Sequence, residues 1–387
     1  MTAANIPFGK PMLAEDAFDA VRRVLESGIL VHGKLTEAFE EAFAERIGVN
    51  HAVAVSSCTA GLHLVHFARG IGPGDTVAVP AMTHVATAHA VELAGARPLF
   101  IDVDASTGNM DPVLLAKAVE DGAKPAAITP VHYLGLPCEM DAINATAEDI
   151  GAYVLEDCAL AVDATYRGRK AGGLGLAGAF SFYPVKHMTS IEGGMVTTDD
   201  PDLAAAIRKR RAFSYNRALG ERTRPGIYDV DALGYNYRMS EVEAAVGLSQ
   251  LSHLDGFQDA RARNDAILRA GLSDIAELTI FPDEHGPARS SHYCFNIILP
   301  RDGSLPRDAV VDQLKAKGVG TSVHYPSAVP MFEYYRSKYG YKPGQFPVAE
   351  WLGEQTISLP VAPHVGESDA RYIADCVRDA IRTVKRG

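Results

Sequence analysis

A chain of 387 residues is too long for one small core and suggests a large domain with a smaller companion. Its formal net charge of −11 argues against broad binding to nucleic acid or anionic membrane, yet leaves room for a small anion in a local basic pocket. Cys58, Cys138, Cys158, Cys294 and Cys376 are odd in number, scattered and without a C-x-x-C pair, so neither a metal site nor a disulfide framework is indicated and a reduced cytoplasm fits.

The amino terminus, MTAANIPFGKP, lacks a charged-then-apolar leader, and no apolar run is long enough to span a bilayer. Neither secretion nor anchoring is expected. Phe18, Val21, Leu25 and Ile29 stand at helical spacing within residues 13–29, with Gly28 near the end. A second helix follows, in which Leu35, Phe39, Phe43 and Ile47 repeat every four residues, Glu40, Glu41 and Glu45 face elsewhere, and Gly48 is the stop. The glycine-flanked loop between them, residues 28–34, has no role that its sequence assigns.

From His51 short apolar strands alternate with helices. The strands are Ala52–Val55, Thr76–Val79, Pro98–Ile101, Ala126–Thr129 and Tyr153–Leu155, and the helices between them are Thr59–Arg69, Val85–Leu93 and Pro112–Glu120. Continuous apolar strands alternating with helices predict an α/β fold with a mainly parallel sheet covered on both faces, and function at the carboxyl ends of its strands.

Residues 178–198, GAFSFYPVKHMTSIEGGMVTT, read as a strand over Ala179–Tyr183, a break at Pro184, a turn carrying Lys186 and a Gly193-Gly194 pair, then a strand over Met195–Thr198. An amine emerging there among apolar neighbours is poorly solvated, so the free base needed for carbonyl chemistry becomes accessible. A surface turn lysine is the plain alternative. Asp200-Pro201 then opens a helix that runs into Arg208, Lys209, Arg210 and Arg211, followed loosely by Arg217, Arg222 and Arg224. Ser240-x-x-Glu243 is a capping box for a long helix through Val246, Leu251 and Leu254. Beyond it, strands at Leu278–Phe281, Tyr293–Leu299 and Gly320–His324, with helices at Asp308–Lys317 and Ser368–Val384, predict a small α+β domain. The division expected is 1–250 for the large domain and 251–387 for the small one.

Two further stretches can carry chemistry with Lys186. Asp157 ends the strand Tyr153–Leu155 in Glu156-Asp157-Cys158-Ala159, where a carboxylate can hold a proton on a heteroaromatic nitrogen; a structural acid or helix cap is the alternative. Ser56-Ser57-Cys58-Thr59 leads from a strand into a helix, and the hydroxyls and N–H groups of such a start can bind an anion, although ordinary capping reads equally well.

Taken in order, SSCTAGLHL, IDVDASTGNMDP, VHYLGLPCEMDAI, LEDCALA, SFYPVKHMTSIEGG and GYNYRMSEVEAAVGLSQL resemble the DegT/DnrJ/EryC1/StrS family of pyridoxal-phosphate-dependent sugar aminotransferases over nearly the whole chain. The resemblance implies the fold-type I aminotransferase architecture and a homodimer with shared active sites. It makes Lys186 the Schiff-base lysine and Asp157 the partner of the pyridine nitrogen. Ser57, Cys58 and Thr59, with Ser181, would hold the phosphate, His84 would lie on the cofactor ring, and Asn236 would reach into the neighbouring subunit's phosphate site. Leu160 departs from the pattern, because many relatives have Gln or His there. Lys186-His187 with Thr189 and Glu192 also resembles the sugar 3-dehydratases of the superfamily, but those carry histidine in the lysine slot, so the lysine favours transamination.

By the same resemblance the donor is glutamate and the acceptor a nucleotide-linked keto-deoxyhexose, with a weak lean to the 4-keto position from the K-x-x-T-x-x-E-G-G form. His187, Glu192, His324 and Tyr325 are the candidates for substrate contact, and the basic run from Arg208 to Arg224 for the diphosphate. Transamination of a cyclitol or other non-nucleotide ketone, and a non-catalytic cofactor-binding regulator, are the competing readings. No metal is expected, and the pathways implied are those of amino sugars for surface polysaccharides or glycosylated small molecules.

Overall fold

The computed structural model describes residues 5–216 and 227–386. Seven strands build its main sheet: β1 (His51–Val55), β2 (Thr76–Pro80), β3 (Arg97–Ile101), β4 (Ala127–Ile128), β5 (Tyr153–Asp157), β6 (Ala177–Ser181) and β7 (Gly194–Thr198). They lie in the order β1-β7-β6-β5-β4-β2-β3. Only β7 runs against its neighbours β1 and β6; the pairings β6-β5, β5-β4, β4-β2 and β2-β3 are parallel. The mainly parallel sheet expected from the apolar runs is therefore present. Its strands are short and buried because helices cover both faces, and this is what continuous runs such as AVAV in β1 require.

The helix Lys34–Ile47 shows how the sheet is covered. Phe39 lies 5.2 Å from Phe182 and Phe43 lies 5.0 Å from Phe180, ring centre to ring centre. All four are fully buried, which contributes roughly 1.5–3 kcal/mol apiece. Gly48 ends the helix at φ +84°, a conformation that side chains disfavour. Glu40 departs from the expected outward placement. It is buried, accepts from Ala54 N–H at 2.9 Å, and pairs with Arg208 and Arg211.

That pairing also corrects the reading of the basic run. Arg208 and Arg211 are held by Glu40 and by the carbonyls of Ala52 and Ala54, Arg210 donates to the Phe67 carbonyl at 2.9 Å, and Lys209 pairs with Asp231. The buried Glu40 carboxylate draws Arg208 and Arg211 inward, and all four of these cations have partners within the fold. Arg217, Arg222 and Arg224 lie outside the described residues.

The capping box at Ser240 and Glu243 forms as expected. Its helix stops at Ser252, His253 turns the chain at φ −100° and ψ 0°, and a second helix runs from Leu254 to Leu272. Further on, Phe295–Ile298 pairs with Thr356–Leu359, a strand the sequence reading did not include. The expected strands at Leu278–Phe281 and Gly320–His324 shrink to single bridges, Thr279 with Ile298 and Ser322 with Ser358. Other partners take their neighbours: the Phe281 carbonyl accepts from Arg269, and Gly320 N–H donates to Ile6. Leu268, Phe295, Leu314, Ile357, Ile373 and Val377 form a core at this end, and Ile6 joins it from the amino-terminal segment.

The first helix, Glu15–Ser27, forms where the spacing placed one, but it turns most of its apolar groups outward. Only Ala17 and Val24 on it are buried, while Phe18 and Leu25 are 52% and 59% exposed. Ile29, Leu30 and Val31 continue the bare surface.

Candidate active site

Strand register brings the three chemical stretches together. Val55 at the end of β1 and Ser181 at the end of β6 both face Gly194, and Asp157 at the end of β5 faces Ala179 of β6. Because β1, β5 and β6 run in the same direction, with β7 alone reversed among them, the segments leaving these three strands emerge on one edge.

The segment leaving β1 enters the helix Cys58–Ala68, where Ser57 is the cap and its Oγ accepts from Ala60 N–H at 3.1 Å. The N–H groups of Cys58 and Thr59 head that helix with the positive end of its dipole. Gly194 lets β7 approach this turn. A Cβ on it would lie 2.5 Å from the Ser57 carbonyl carbon and 2.6 Å from Cys58 N. Ser181 closes the other side; it is buried, and Tyr183 N–H donates to its Oγ at 3.5 Å. Backbone N–H groups at a helix start beside buried hydroxyls are an arrangement that suits an anion.

Lys186 follows in the turn after Pro184, with its own N–H donating to the Tyr183 carbonyl at 3.0 Å. Its Nζ lies 5.1 Å from the centre of the Tyr293 ring. Burial pushes the pKa of this amine below the ordinary lysine value, against the opposing pull of Cys58, Asp157 and Cys294. Desolvation wins, which favours the free base.

Asp157 is buried and well held. Its Oδ2 accepts from Thr87 Oγ1 at 2.8 Å, its Oδ1 accepts from Ala159 N–H at 3.0 Å, and Cys58 Sγ approaches Oδ1 at 3.9 Å. Since Thr87 gives its one hydroxyl proton to Asp157, the 2.8 Å contact between Thr83 and Thr87 has Thr83 as donor. Thr87 escaped the sequence reading. The Thr83/Thr87 spacing beside His84 was the available signal, and it is weak.

His84 caps the helix Val85–Leu93 through Nδ1, which accepts from Ala86 N–H at 3.2 Å, and its exposed ring faces Tyr325 at 5.7 Å. Partial burial, with Lys186 nearby, keeps its pKa low. Tyr325 is half-buried, and burial with Asp157 close at hand raises its phenol well above the usual range. Leu160 is fully buried in an apolar cluster with Tyr133, Leu134 and Tyr293, so no polar group replaces the Gln or His of the family pattern at that position.

Of the other candidates, His187 and His324 border the Tyr293 ring that also lies against Lys186, but each is tied to the fold through a ring nitrogen, whereas Glu192 and Asn236 are at the surface. His187 is buried and donates through Nε2 to the Ser291 carbonyl at 2.9 Å, and burial keeps it neutral. His324 is pinned by Ser358 Oγ at 2.9 Å and boxed by Phe8 and Tyr293, with its pKa pushed down to about 3 by burial. Glu192 and Asn236 sit at the surface, and the Asn236 side chain makes no hydrogen bond among the described residues. The buried trio His132, Glu156 and Cys158 has metal-like spacing. Glu156, however, already accepts from His132 and from the N–H groups of Gly172, Leu174 and Gly175, so its lone pairs are committed to the fold.

The combination of an anion cup tight enough to require glycine, a desolvated amine and a carboxylate held on two sides fits pyridoxal phosphate. Comparisons with known proteins agree. The model of the DegT/DnrJ/EryC1/StrS aminotransferase family matches residues 11–378. The spore coat polysaccharide biosynthesis protein SpsC of Bacillus subtilis is 38% identical over 382 residues, covering 97% of each chain. Among solved structures, DesV of S. venezuelae in complex with a ketimine intermediate is 34% identical with a TM-score of 0.86, covering 94% of this chain and 93% of that one. DesI with its TDP-sugar product is 34% identical with a TM-score of 0.88, covering 100% and 95%. Fold and site together define an aminotransferase that uses pyridoxal phosphate. The chain belongs to the DegT/DnrJ/EryC1/StrS aminotransferase family.

Proposed function

We propose that this enzyme moves an amino group from glutamate to the ketone of a nucleotide-linked deoxyhexose, in the making of amino sugars for polysaccharides or glycosylated small molecules. The observation that carries this reading is the half-buried Lys186, its amine desolvated near Asp157 and the helix start at Cys58. Support for the sugar comes from DesI, solved with a TDP-sugar product, and from SpsC, named for polysaccharide biosynthesis. The Lys186-x-x-Thr189-x-x-Glu192-Gly193-Gly194 pattern leans to the 4-keto position.

When bound, pyridoxal phosphate supplies an aldehyde that condenses with amines and a ring that accepts electron density. Ser57, Cys58, Thr59 and Ser181 would hold its phosphate, and His84 would border it. Asp157, steadied by Thr87 and Ala159 N–H, would hold the proton of its ring nitrogen. Lys186, whose amine burial biases toward the free base, would be the group that takes and returns the proton at the donor's α carbon, and again in the sugar half of the reaction. Tyr325, across from His84, is the substrate contact best placed to meet a sugar hydroxyl. Glu192 joins it from the rim. His187 and His324 shape the pocket behind them.

The working form is a homodimer. Phe18, Leu25, Ile29, Leu30 and Val31 leave too much apolar surface for a solitary chain, and the exposed Asn236 is free to enter the phosphate site of a second copy. The core at the carboxyl end supports a smaller second domain over residues 251–387. Five unbridged cysteines suit a cytoplasmic enzyme, and among the described residues no helix is long and apolar enough to cross a membrane.

The test is the near-visible spectrum of the purified protein with pyridoxal phosphate. A lysine-dependent band that glutamate bleaches is expected, and Lys186→Ala removes the band and lowers turnover by about 10³-fold or more. Nucleotide keto-sugars then restore the band in the amino form of the protein. A protein with no lysine-dependent band is not an aminotransferase, and one restored only by non-nucleotide ketones acts on another substrate. Sedimentation as a monomer at assay concentration removes the shared site.

A further inference from the structure

Arg261, on the helix Leu254–Leu272, is 2% exposed and among the largest fully buried side chains. A guanidinium in that position normally answers a carboxylate. Here it answers backbone carbonyls: Nη1 donates to Tyr293 at 2.7 Å and reaches His292 at 3.5 Å, and Nη2 donates to Lys186 at 3.2 Å. No acidic side chain forms an ion pair with it among the described residues, and burial pushes its pKa down to about 10. A buried cation with only dipoles for partners is costly, and an apolar side chain of similar volume would pack there without that cost.

Its partners show what it does. Lys186 supplies the site's amine, and Tyr293 supplies the ring 5.1 Å beneath that amine. One planar fork thus ties the backbone of the lysine to the backbone of the aromatic residue under it, across two segments far apart in sequence. Lysine could not replace it, because its single ammonium lacks the rigid pair of donors set at a fixed angle.

We propose that Arg261 is a positioning residue for Lys186: by stapling the Lys186 turn to the Tyr293 segment it keeps the amine desolvated over the Tyr293 ring. This rests on the role of Lys186 given above, but it is tested separately from turnover. Loosening the staple admits water to the amine, and a hydrated amine returns toward the ordinary lysine pKa. The rate at which apoprotein bonds pyridoxal phosphate through Lys186 requires the free base, so its pH midpoint reports that change.

The experiment compares Arg261→Met and Arg261→Lys with Asn264→Leu, a control on the same helix. Asn264 is equally buried, and its amide donates to the carbonyls of Val361 and Val365 and not to the Lys186 or Tyr293 segments. Stopped-flow growth of the lysine–cofactor band is followed from pH 6 to 10, beside thermal midpoints and kcat and KM for glutamate. Both Arg261 variants should move the pH midpoint up by about half a unit or more and lower kcat about tenfold with KM changed less than threefold, whereas Asn264→Leu leaves the midpoint in place. Should Arg261→Met not fold, Arg261→Lys decides alone. Unmoved midpoints in the Arg261 variants, or the same shift in Asn264→Leu, overturn the proposal and leave Arg261 a general packing residue. Absence of any lysine–cofactor band in the parent protein would instead refute the aminotransferase reading itself.

Discussion

At the scale of single residues, the site sets a desolvated amine near a carboxylate fixed by hydrogen bonds. Burial favours the neutral form of Lys186, while Asp157 accepts from Thr87 Oγ1 and from Ala159 N–H. One group is thereby biased to take a proton and the other is fixed in place. Thr87 is the adjustable part, since its hydroxyl is one of only a few donors to Asp157 and its role is to hold that carboxylate, not to touch substrate. Thr87→Val keeps the shape and removes that donor. A charge-assisted bond of this kind contributes on the order of 1.5–3 kcal/mol, so kcat should fall about 10- to 100-fold, with KM for glutamate and the band position serving as the checks. Unchanged kcat would mean that Ala159 N–H alone holds the carboxylate. Both principal residues were legible from sequence because each follows an apolar strand and stands in a distinctive motif. Thr87 and Arg261 were not, because each acts through a tertiary contact that local spacing does not reveal.

At the scale of elements, the cup depends on how closely β7 approaches the turn at Ser57. Antiparallel β7 is inserted between β1 and β6, and its first residue, Gly194, faces the last residue of both. Phe180 O is also 2.7 Å from where a Cβ would sit, so its three nearest neighbours are all backbone atoms, which cannot swing aside as a side chain would. Gly194→Ala must therefore move the Ser57–Cys58 backbone. Spectral titration should show pyridoxal phosphate binding weakened at least tenfold, about 1.4 kcal/mol or more, with the lysine–cofactor band still formed at saturation. Wild-type affinity would show that the turn can shift freely. Elements of this α/β part were legible because strands such as β1 and β6 are apolar throughout and helices begin with strong caps such as Asp200-Pro201 and the Ser240/Glu243 box. The carboxyl-terminal strands were not. Their partners are far away in sequence, and in a segment such as Gly320–His324 the backbone answers Ile6 and Ser358 in turn, which no alternation of apolar and polar residues announces. The outward apolar face of Glu15–Ser27 misleads for a related reason, since periodicity locates a stripe without saying whether it meets its own core or another chain.

At the scale of the molecule, the histidines tie stability to pH in a way that follows from burial. His66 is fully buried between Tyr153 OH at 2.9 Å and Thr129 Oγ1 at 3.5 Å, with its pKa pushed down to about 3. His324 is likewise pushed down to about 3, and His187 lies well below its ordinary value. In the unfolded chain each titrates near 6.5. Between those values the unfolded state binds more protons than the folded one, so stability is complete above about pH 6.5 and falls as the pH drops toward the folded values. Each such histidine should remove about 2 kcal/mol by pH 5. Carboxylates contribute little in the same window because their ordinary values lie near 4. Urea unfolding of the apoprotein at pH 7.5, 6.5 and 5.5 should therefore show a loss that steepens below 6.5, to a limiting slope of about 4 kcal/mol per pH unit if all three groups stay neutral in the folded state. His66→Gln retains polar atoms for both partners and removes one titrating group, so its slope should be shallower by about 1.4 kcal/mol per pH unit. A parent slope near zero, or one that His66→Gln leaves unchanged, would mean that the folded protein takes up these protons readily. The buried imidazoles behind the active site would then be hydrated in solution, and Lys186, packed against the same Tyr293 ring that borders His187 and His324, would lose the dry surroundings on which its free base depends.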